Sequence, residues 1–435
     1  MTQYLVLLIL FTLSAAAQSA FSLEDAWKMA LEKNLSLQRE KAVLQSTQKQ
    51  VEIERSSLLP SLAVVAGLSY TSELPQLNLP VNLPGVSGLE VGVKDKYDVA
   101  IQASQALFTG FRNRSLLRAA HRGTEAAGLD LSARENQLLL EVGLSFSRLQ
   151  LINNTQTTIR EGLTRTRRQL EYMRRLLAAD QLVPFDTLVA ANRLLSLTLQ
   201  LQRLEDDRAV QTQQFWDLIR GEGTPPNAFA DFRLPAADPG TLAACRERAL
   251  QQRPEMGALA ARRQAGEARL GAIRSALWPQ VYGQAAWHYG RPGADMFSDQ
   301  WMGYATAGVQ VQWQLWDWGK TRNMARQNTL ANRQIDLAGQ ELKDGIRQQV
   351  DAAYRRWQSG QKQLAIQEKI VAQEHLRRDL AQSRYREGQI DQLTLDDSES
   401  TLLEAELEAQ RARIAVQQDL LQLMFATGDI GKLAK

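Results

Sequence analysis

The stretch Val309-Gln-Val-Gln-Trp-Gln-Leu-Trp-Asp-Trp-Gly-Lys320 begins with eight residues that alternate between apolar and polar side chains. A period of two indicates a β-strand with one apolar and one polar face. Directly after it, the chain contains no proline from Thr321 to Glu387. Because proline breaks helix interiors, this run favours one helix of about 67 residues, roughly 100 Å long. We therefore predict a strand over Val309–Trp316 that leads into an unusually long helix.

A weaker copy of this pattern lies in the first half of the chain. Residues 101–108 match residues 309–316 at an offset of 208, and a second proline-free run spans Asn113–Ala179. Two earlier motifs recur at an offset of 219, namely Leu23-Glu-Asp-Ala26 as Leu242-Ala-Ala-Cys245 and Leu58-Leu59-Pro60 as Leu277-Trp278-Pro279. Offsets that hold over such long stretches indicate a tandem duplication.

Each repeat is predicted to contain the same elements in the same order. A first helix (Leu23–Leu58 in repeat one) ends before a proline and is followed by two strands, the long helix, a turn and a returning helix. The partner strands are predicted at 62–70 and 281–289, and the returning helices at 185–219 and 393–426. The predicted segments are a signal peptide at 1–17, a first repeat at 18–220, a Gly- and Pro-rich linker at 221–240, a second repeat at 241–428 and a tail at 429–435.

The first residues resemble a secretory signal. An apolar run over Tyr4–Leu13 precedes Ser14-Ala15-Ala16-Ala17, which fits cleavage after Ala17. No later segment approaches the roughly 18 consecutive apolar residues of a membrane-spanning helix. The single cysteine, Cys245, excludes an intrachain disulfide, and the net charge of +3 gives no case for nucleic acid as a partner.

Four strands are too few to close a membrane β-barrel, since an open sheet edge leaves unpaired backbone groups in lipid. Known barrels contain at least about eight strands. Three chains that each contribute four strands would close twelve under cyclic symmetry. We therefore predict an α+β membrane protein with a trimeric, 12-stranded β-barrel and a long, hollow α-helical barrel.

Aromatic residues cluster where the predicted strands end. Such clusters are typical of the girdles that membrane barrels place at the lipid–water interface. The predicted membrane-interface aromatics are Phe108, Phe111, Trp287, Tyr289, Trp313, Trp316 and Trp318.

The duplicated motifs resemble the TolC family of outer-membrane efflux proteins. The resemblance rests on Leu107-Phe-Thr-Gly-Phe-Arg112, on Leu315-Trp-Asp-Trp-Gly-Lys320 and on Tyr385-x-x-Gly388-x-Ile390 followed by Leu393-x-Leu395-x-Asp397. It implies a homotrimer in the outer membrane of a Gram-negative bacterium, in contact with lipid and with its helical tunnel in the periplasm. It also implies a periplasmic adaptor (membrane fusion) protein and an inner-membrane transporter as partners in tripartite efflux or type I secretion.

The resemblance also implies a periplasmic entrance at the helix–turn tips. The adaptor-docking tip candidates are Asp180, Gln181, Leu182, Gly388, Gln389 and Ile390. The entrance or gate candidates are Asp397, Asp186, Thr394 and Asp391. Asp397 matches an inward aspartate of the family, Thr394 stands where a second aspartate is common, and Asp180 replaces the usual glycine of the tip.

No catalytic motif, paired-cysteine spacing or metal-ligand spacing occurs in the sequence. We therefore expect no enzyme activity, no cofactor and no metal site. Two other classes of protein stay open on the residues alone. A periplasmic adaptor would carry one helical hairpin between Gly-rich β-segments, and a secreted coiled-coil protein would lack strands with a period of two.

Overall fold

The computed structural model describes residues 20–77, 89–90, 92–181, 183–234, 238–295 and 297–433. The predicted signal peptide and Leu182 lie outside these residues. Two compact units each draw on both repeats, one within 1–38, 132–253 and 344–435, the other within 39–131 and 254–343. The repeat boundaries stay a prediction about the sequence.

Eight α-helices and six strands are described. The helices are α1 (Leu23–Lys33), α2 (Leu35–Ser56), α3 (Arg112–Ala178), α4 (Pro184–Leu218), α5 (Leu242–Gln252), α6 (Pro254–Arg274), α7 (Lys320–Arg386) and α8 (Gln392–Thr427). The strands are β1 (Ser61–Tyr70), β2 (Gln76–Leu77), β3 (Leu89–Glu90), β4 (Asp95–Phe108), β5 (Gln280–Arg291) and β6 (Met302–Gln312).

The prediction of one helix over Leu23–Leu58 is wrong, because Asn34 separates α1 from α2. Asn34 has an extended backbone (ψ 124°), and its side-chain oxygen accepts the N–H groups of Ser36 and Leu37 at 3.0 and 3.3 Å. The side chain thereby caps the start of the second helix. In the second repeat Arg253 has the same backbone conformation (ψ 122°), and Pro254 follows it. An Asn cap and a proline produce the same break by different chemistry.

The two long helices confirm the prediction closely. Both α3 and α7 contain 67 residues. Each is followed by a turn and by a returning helix, α4 or α8. Buried Ile159 and Leu163 of α3 pack with Leu197 of α4 and Leu403 of α8. Among the described residues, no helix combines the length and apolar character needed to cross a lipid bilayer.

The four longer strands form one antiparallel sheet in the order β1-β4-β5-β6. Since side chains alternate across a strand, the register assigns every residue to one of two faces. One face is apolar and exposed, with Leu62 at 77% and Val309 at 67% exposure. The opposite face carries Gln102, His288 and Thr306. The predicted alternation therefore produces a sheet with one apolar and one polar surface.

The second predicted strand of repeat two, Val309–Trp316, begins and ends too late, because β6 spans Met302–Gln312. The last pair joins Gln312 to Gln280, the first residue of β5. Pro279 precedes Gln280 and has no N–H to donate, so the ladder cannot continue toward Trp316. Trp313, Trp316 and Trp318 consequently lie between the strand and α7.

A short turn joins sheet and long helix in both repeats. Gly110 and Phe111 have φ of 59° and 67°, and the equivalent Trp318 and Gly319 have φ of 54° and 78°. A Cβ on Gly110 would lie 2.7 Å from the carbonyl oxygen of Ser275, so this position requires glycine. In each turn the other left-handed residue is aromatic, although bulky side chains rarely adopt this conformation.

Candidate functional site

One aromatic cluster lies at the end of the sheet formed by the start of β4 and the end of β5. Tyr289 stacks on Trp287 and Trp301, with ring centroids 6.4 and 5.2 Å apart, and Tyr97 lies 6.0 Å from Trp301. Trp287 and Tyr289 belong to the predicted set. Tyr97 was not predicted, because only the register shows that it faces the same side as Tyr289.

A second cluster lies at the opposite end of the sheet, beside the turns to the long helices. Phe108 contacts Phe111 edge to face at 5.6 Å, and Trp316 contacts Trp318 in the same way at 5.8 Å. Trp313 donates its indole N–H to the carbonyl oxygen of Leu277 at 3.2 Å. These rings are exposed or half-buried, so they line the rim of the sheet instead of filling a core.

The distance between the clusters can be compared with the apolar band of a membrane barrel. Tyr289 lies eight residues along β5 from Val281, which pairs with Phe108. That is about 26 Å along the strand at roughly 3.3 Å per residue, or about 20 Å along the membrane normal for a strand tilted by about 40°. The apolar band of membrane barrels is about 25 Å tall. The two clusters therefore bracket an apolar surface somewhat shorter than this band.

The polar face of the sheet holds a chain of hydrogen bonds that sequence reasoning missed. Nδ1 of His288 lies 3.1 Å from a carboxylate oxygen of Asp98, and its Nε2 lies 3.2 Å from the hydroxyl of Thr306. Tyr304 stacks on the imidazole at 4.8 Å. The three bonded residues come from three strands, so only the register could bring them together.

The two helix–turn tips share one backbone geometry. Gln181 donates its N–H to Leu176 O, and Gln389 donates to Arg384 O, both at 2.9 Å. Asp180 and Gly388 occupy the equivalent left-handed position, with φ of 57° and 71°. This is the Schellman helix end. Asp180 therefore adopts the turn that Gly388 adopts, despite its Cβ.

Asp391 and Thr394 contact each other at the start of α8. The Asp391 carboxylate accepts the N–H of Thr394 at 2.9 Å and its hydroxyl at 2.5 Å. These two bonds, the hydroxyl first, hold the pKa of Asp391 below its usual value. Asp391 is thus the N-cap of α8, and Thr394 completes the cap.

Asp397 is an exposed carboxylate one turn further along α8. Its Oδ2 lies 3.2 Å from Nη2 of Arg377 on α7, and Arg377 also contacts Glu374 at 2.8 Å. The Asp397 side chain is 70% exposed. An exposed pair of this kind contributes little to stability, about 1 kcal/mol or less. The carboxylate is therefore available to a solute or to another chain.

Asp186 belongs to a more buried group that includes two residues absent from the predicted set, Asp396 and Tyr385. Burial, then the nearby charge of Asp186, raises the pKa of Tyr385, whose buried hydroxyl has no hydrogen-bond partner among the described residues. Burial also raises the pKa of Asp396, with the charge of Arg193 opposing it. Arg193 donates to the backbone oxygen of Asp396 at 2.6 Å. These contacts join α4, α7 and α8 just above the tips.

The described residues contain no group of three or more metal-ligating side chains. Cys245 is buried, and its thiol donates to the carbonyl oxygen of Pro239 at 3.2 Å. His121, His288 and His375 lie on three different elements. Nothing in this arrangement positions a nucleophile beside a base and an oxyanion site.

Several solved structures share the fold. CusC, studied for transmembrane channel formation, has a TM-score of 0.79 and 17% identity over 93% of this chain and 92% of its own. The Vibrio cholerae outer membrane protein VceC has a TM-score of 0.74 and 16% identity, covering 93% and 96%. The open state of the Neisseria gonorrhoeae outer membrane channel MtrE has a TM-score of 0.74 and 20% identity, covering 95% and 90%.

Among curated protein sequences, no significant match is found. The sequence profile of the outer membrane efflux proteins matches residues 26–218 and 245–429, once for each repeat. The two matched segments cover most of the chain and follow the duplication found in the sequence. The chain belongs to the outer membrane efflux protein family and is an outer-membrane channel protein, not an enzyme.

Proposed function

We propose that three copies of this chain form one exit duct through the outer membrane. The observation that carries the proposal is the four-stranded sheet, in which the outer sides of the edge strands β1 and β6 have no partner strand among the described residues. The exposed apolar face is suited to lipid, but the two open edges are unstable there, because unpaired backbone groups cost several kcal/mol each. Three sheets joined edge to edge close twelve strands and remove every edge.

The long helices support a tunnel that continues from the barrel into the periplasm. Each chain would contribute two helical hairpins, α3–α4 and α7–α8, to its wall. A duct of this kind fits a tripartite efflux or type I secretion system, with a periplasmic adaptor and an inner-membrane transporter as partners. Two hairpins and a duplicated strand pair favour this role over an adaptor or a secreted coiled-coil protein. Residues 1–17 would direct export and be removed.

The tips of the hairpins would form the periplasmic entrance. We propose that the three copies of Asp397 surround the opening, where their charges concentrate a negative potential that favours cations. Asp186 would hold the entrance closed through its neighbours Tyr385 and Asp396. Asp391 and Thr394 form the N-terminal cap of α8, so we assign them a role in the structure of the tip.

The residues predicted at the two turns would dock the adaptor. Of these, Asp180, Gln181, Gly388 and Gln389 are exposed and Ile390 is half-buried, whereas Leu182 lies outside the described residues. The aromatic clusters would sit at the two lipid–water interfaces, where amphipathic rings are favoured.

Fractionation and bilayer recording test the duct. We expect the protein in outer-membrane fractions as an oligomer that runs as such on gels until boiled. The purified oligomer should give discrete conductance steps in a planar bilayer. A soluble monomer, or an oligomer that never conducts, would contradict the proposal.

A further inference from the structure

A polar cavity of about 470 Å³ lies between α3 and α7 near the tips. Its α3 wall includes Arg165, Arg168 and Arg175, which lie on one face of the helix because they are spaced by three and seven residues. Its α7 wall includes Arg378 and Arg386, eight residues apart. Five guanidinium groups from two helices therefore converge on one space.

Two of these arginines are balanced by carboxylates. Arg165 pairs with Glu406 at 2.7 Å and with Glu399 at 3.3 Å. Arg378 pairs with Asp379 at 3.1 Å and lies 3.9 Å from Glu399. These ion pairs hold the side chains of Arg165 and Arg378 in place on the inner side of the cavity. They also neutralise most of the positive charge of these two arginines.

The other three arginines form the rim and have no ion pair within the described part of the chain. Arg168, Arg175 and Arg386 are all exposed. Glu171 also lines the cavity, one turn from both Arg168 and Arg175, yet it pairs with neither of them. The rim therefore carries three cations and one carboxylate, a net positive charge.

One buried hydrogen-bond donor on the cavity wall has no acceptor. It is the hydroxyl of Tyr385, which has no hydrogen-bond partner among the described residues. Nε of Arg165 and Nε of Arg378, in contrast, both face Glu399, at 3.3 and 3.9 Å. A buried donor without an acceptor is unfavourable. A ligand rich in acceptor oxygens would satisfy this hydroxyl, and an anionic one would also match the rim.

We propose that this cavity binds an oxyanion, either a carboxylate or a phosphate group. Guanidinium forks bind such groups through paired, charge-assisted hydrogen bonds. Because the donors come from both α3 and α7, the bound oxyanion would link the two helices beside Asp186 and Tyr385. The source is either a free anion or an acidic side chain on a partner helix.

Calorimetric titration of the full-length oligomer in detergent tests the site, with inorganic phosphate as probe and sodium chloride at matched ionic strength as reference. We expect the double variant Arg168→Gln/Arg386→Gln to weaken phosphate binding at least tenfold. The matched control is Arg167→Gln/Arg384→Gln, which removes two neighbouring exposed arginines that do not line the cavity. This control should change the affinity less than twofold.

A second titration distinguishes the two sources. The probe is an alanine-based helical peptide with glutamates four residues apart, compared with its glutamine counterpart. Displacement of phosphate by the glutamate peptide alone would indicate an acidic partner helix, and phosphate binding that neither peptide displaces would indicate a free anion. If neither phosphate nor the acidic peptide binds, or if the two double variants weaken binding equally, the proposal is wrong. The proposed duct function would be unaffected, since closure of the twelve-stranded barrel does not involve these side chains.

Discussion

Single residues with left-handed backbones define where the hairpins turn. Asp180 and Gly388 lie 208 residues apart and adopt the same conformation, although only glycine does so without steric cost. The sequence raises the question of whether the first tip can form this turn, and the structure shows that it does. Aspartate is tolerated at position 180 because its short polar side chain lets it adopt the left-handed conformation more readily than most residues do.

We expect Asp180→Gly to stabilise the first tip by about 1 kcal/mol, since it removes a Cβ from a left-handed position. The matched variant Gly388→Ala should destabilise the second tip by a similar amount. Hydrogen exchange of the Gln181 and Gln389 amides, which close the two turns, measures both effects. Slower exchange at Gln181 and faster exchange at Gln389 are expected, and the reverse would contradict the argument.

The buried carboxyl of Asp396 should make stability near the tips depend on pH. Its pKa is raised from 3.8, so the folded protein holds the proton to a higher pH than the unfolded chain does. The contribution of this carboxyl to folding stability is complete below its ordinary pKa of 3.8. It is lost as the pH rises through the raised pKa of the folded protein.

Asp396→Asn should therefore flatten the decline in stability above about pH 4. Thermal unfolding of the purified oligomer from pH 4 to pH 7, with Asp397→Asn as the exposed control, measures this change. An unchanged pH dependence in Asp396→Asn would show that the carboxyl does not titrate as described.

At the scale of elements, the sequence predicts long regular segments well and their ends less well. The absence of proline was enough to predict α3 and α7 to within one residue at each end. The break at Asn34 was missed because an Asn cap lacks the signal that Pro254 provides at the equivalent position. The end of β6 was missed because it depends on Pro279 in the neighbouring strand. Contacts between strands, such as His288 with Asp98 and Thr306, require a register that alternation alone does not supply.

Two glycines in helices should respond oppositely to alanine. A Cβ on Gly266 would lie 1.9 Å from Oδ1 of Asn332, which is only 5% exposed and cannot readily move away. A Cβ on Gly345 would meet nothing within 4 Å. We expect Gly266→Ala to destabilise the protein by about 1–3 kcal/mol and Gly345→Ala to stabilise it by up to about 1 kcal/mol. Equal effects on the unfolding temperature would contradict the packing of α6 against α7.

At the scale of the whole molecule, a trimeric duct explains three features that are unfavourable or unexplained in a single chain. The sheet has open edges, its apolar face is exposed, and Asp397 points away from any core. In a trimer around one axis, the edges would pair with neighbouring sheets, the apolar face would contact lipid and the Asp397 side chains would surround the opening. The duplication and the alternating strand predicted the strands and long helices of this architecture, and the family resemblance placed the helices in the periplasm. The contacts near the tips were not predictable in detail because they join α4, α7 and α8.

Asp397→Ala should weaken the block of channel conductance by trivalent cations, since it removes three carboxylates from the proposed entrance. Asp391→Ser is the matched control, because serine keeps the helix cap while it removes a nearby charge. We expect block of this control to equal that of the wild type in planar-bilayer recordings. Equal block of Asp397→Ala and the wild type would remove Asp397 from the gate.

Native mass spectrometry of the protein extracted from outer membranes tests the central claim most directly. The account predicts one dominant species with three times the mass of a chain that lacks residues 1–17. A dominant monomer or dimer would contradict it, because neither can close a sheet that has four strands per chain into the twelve-stranded duct.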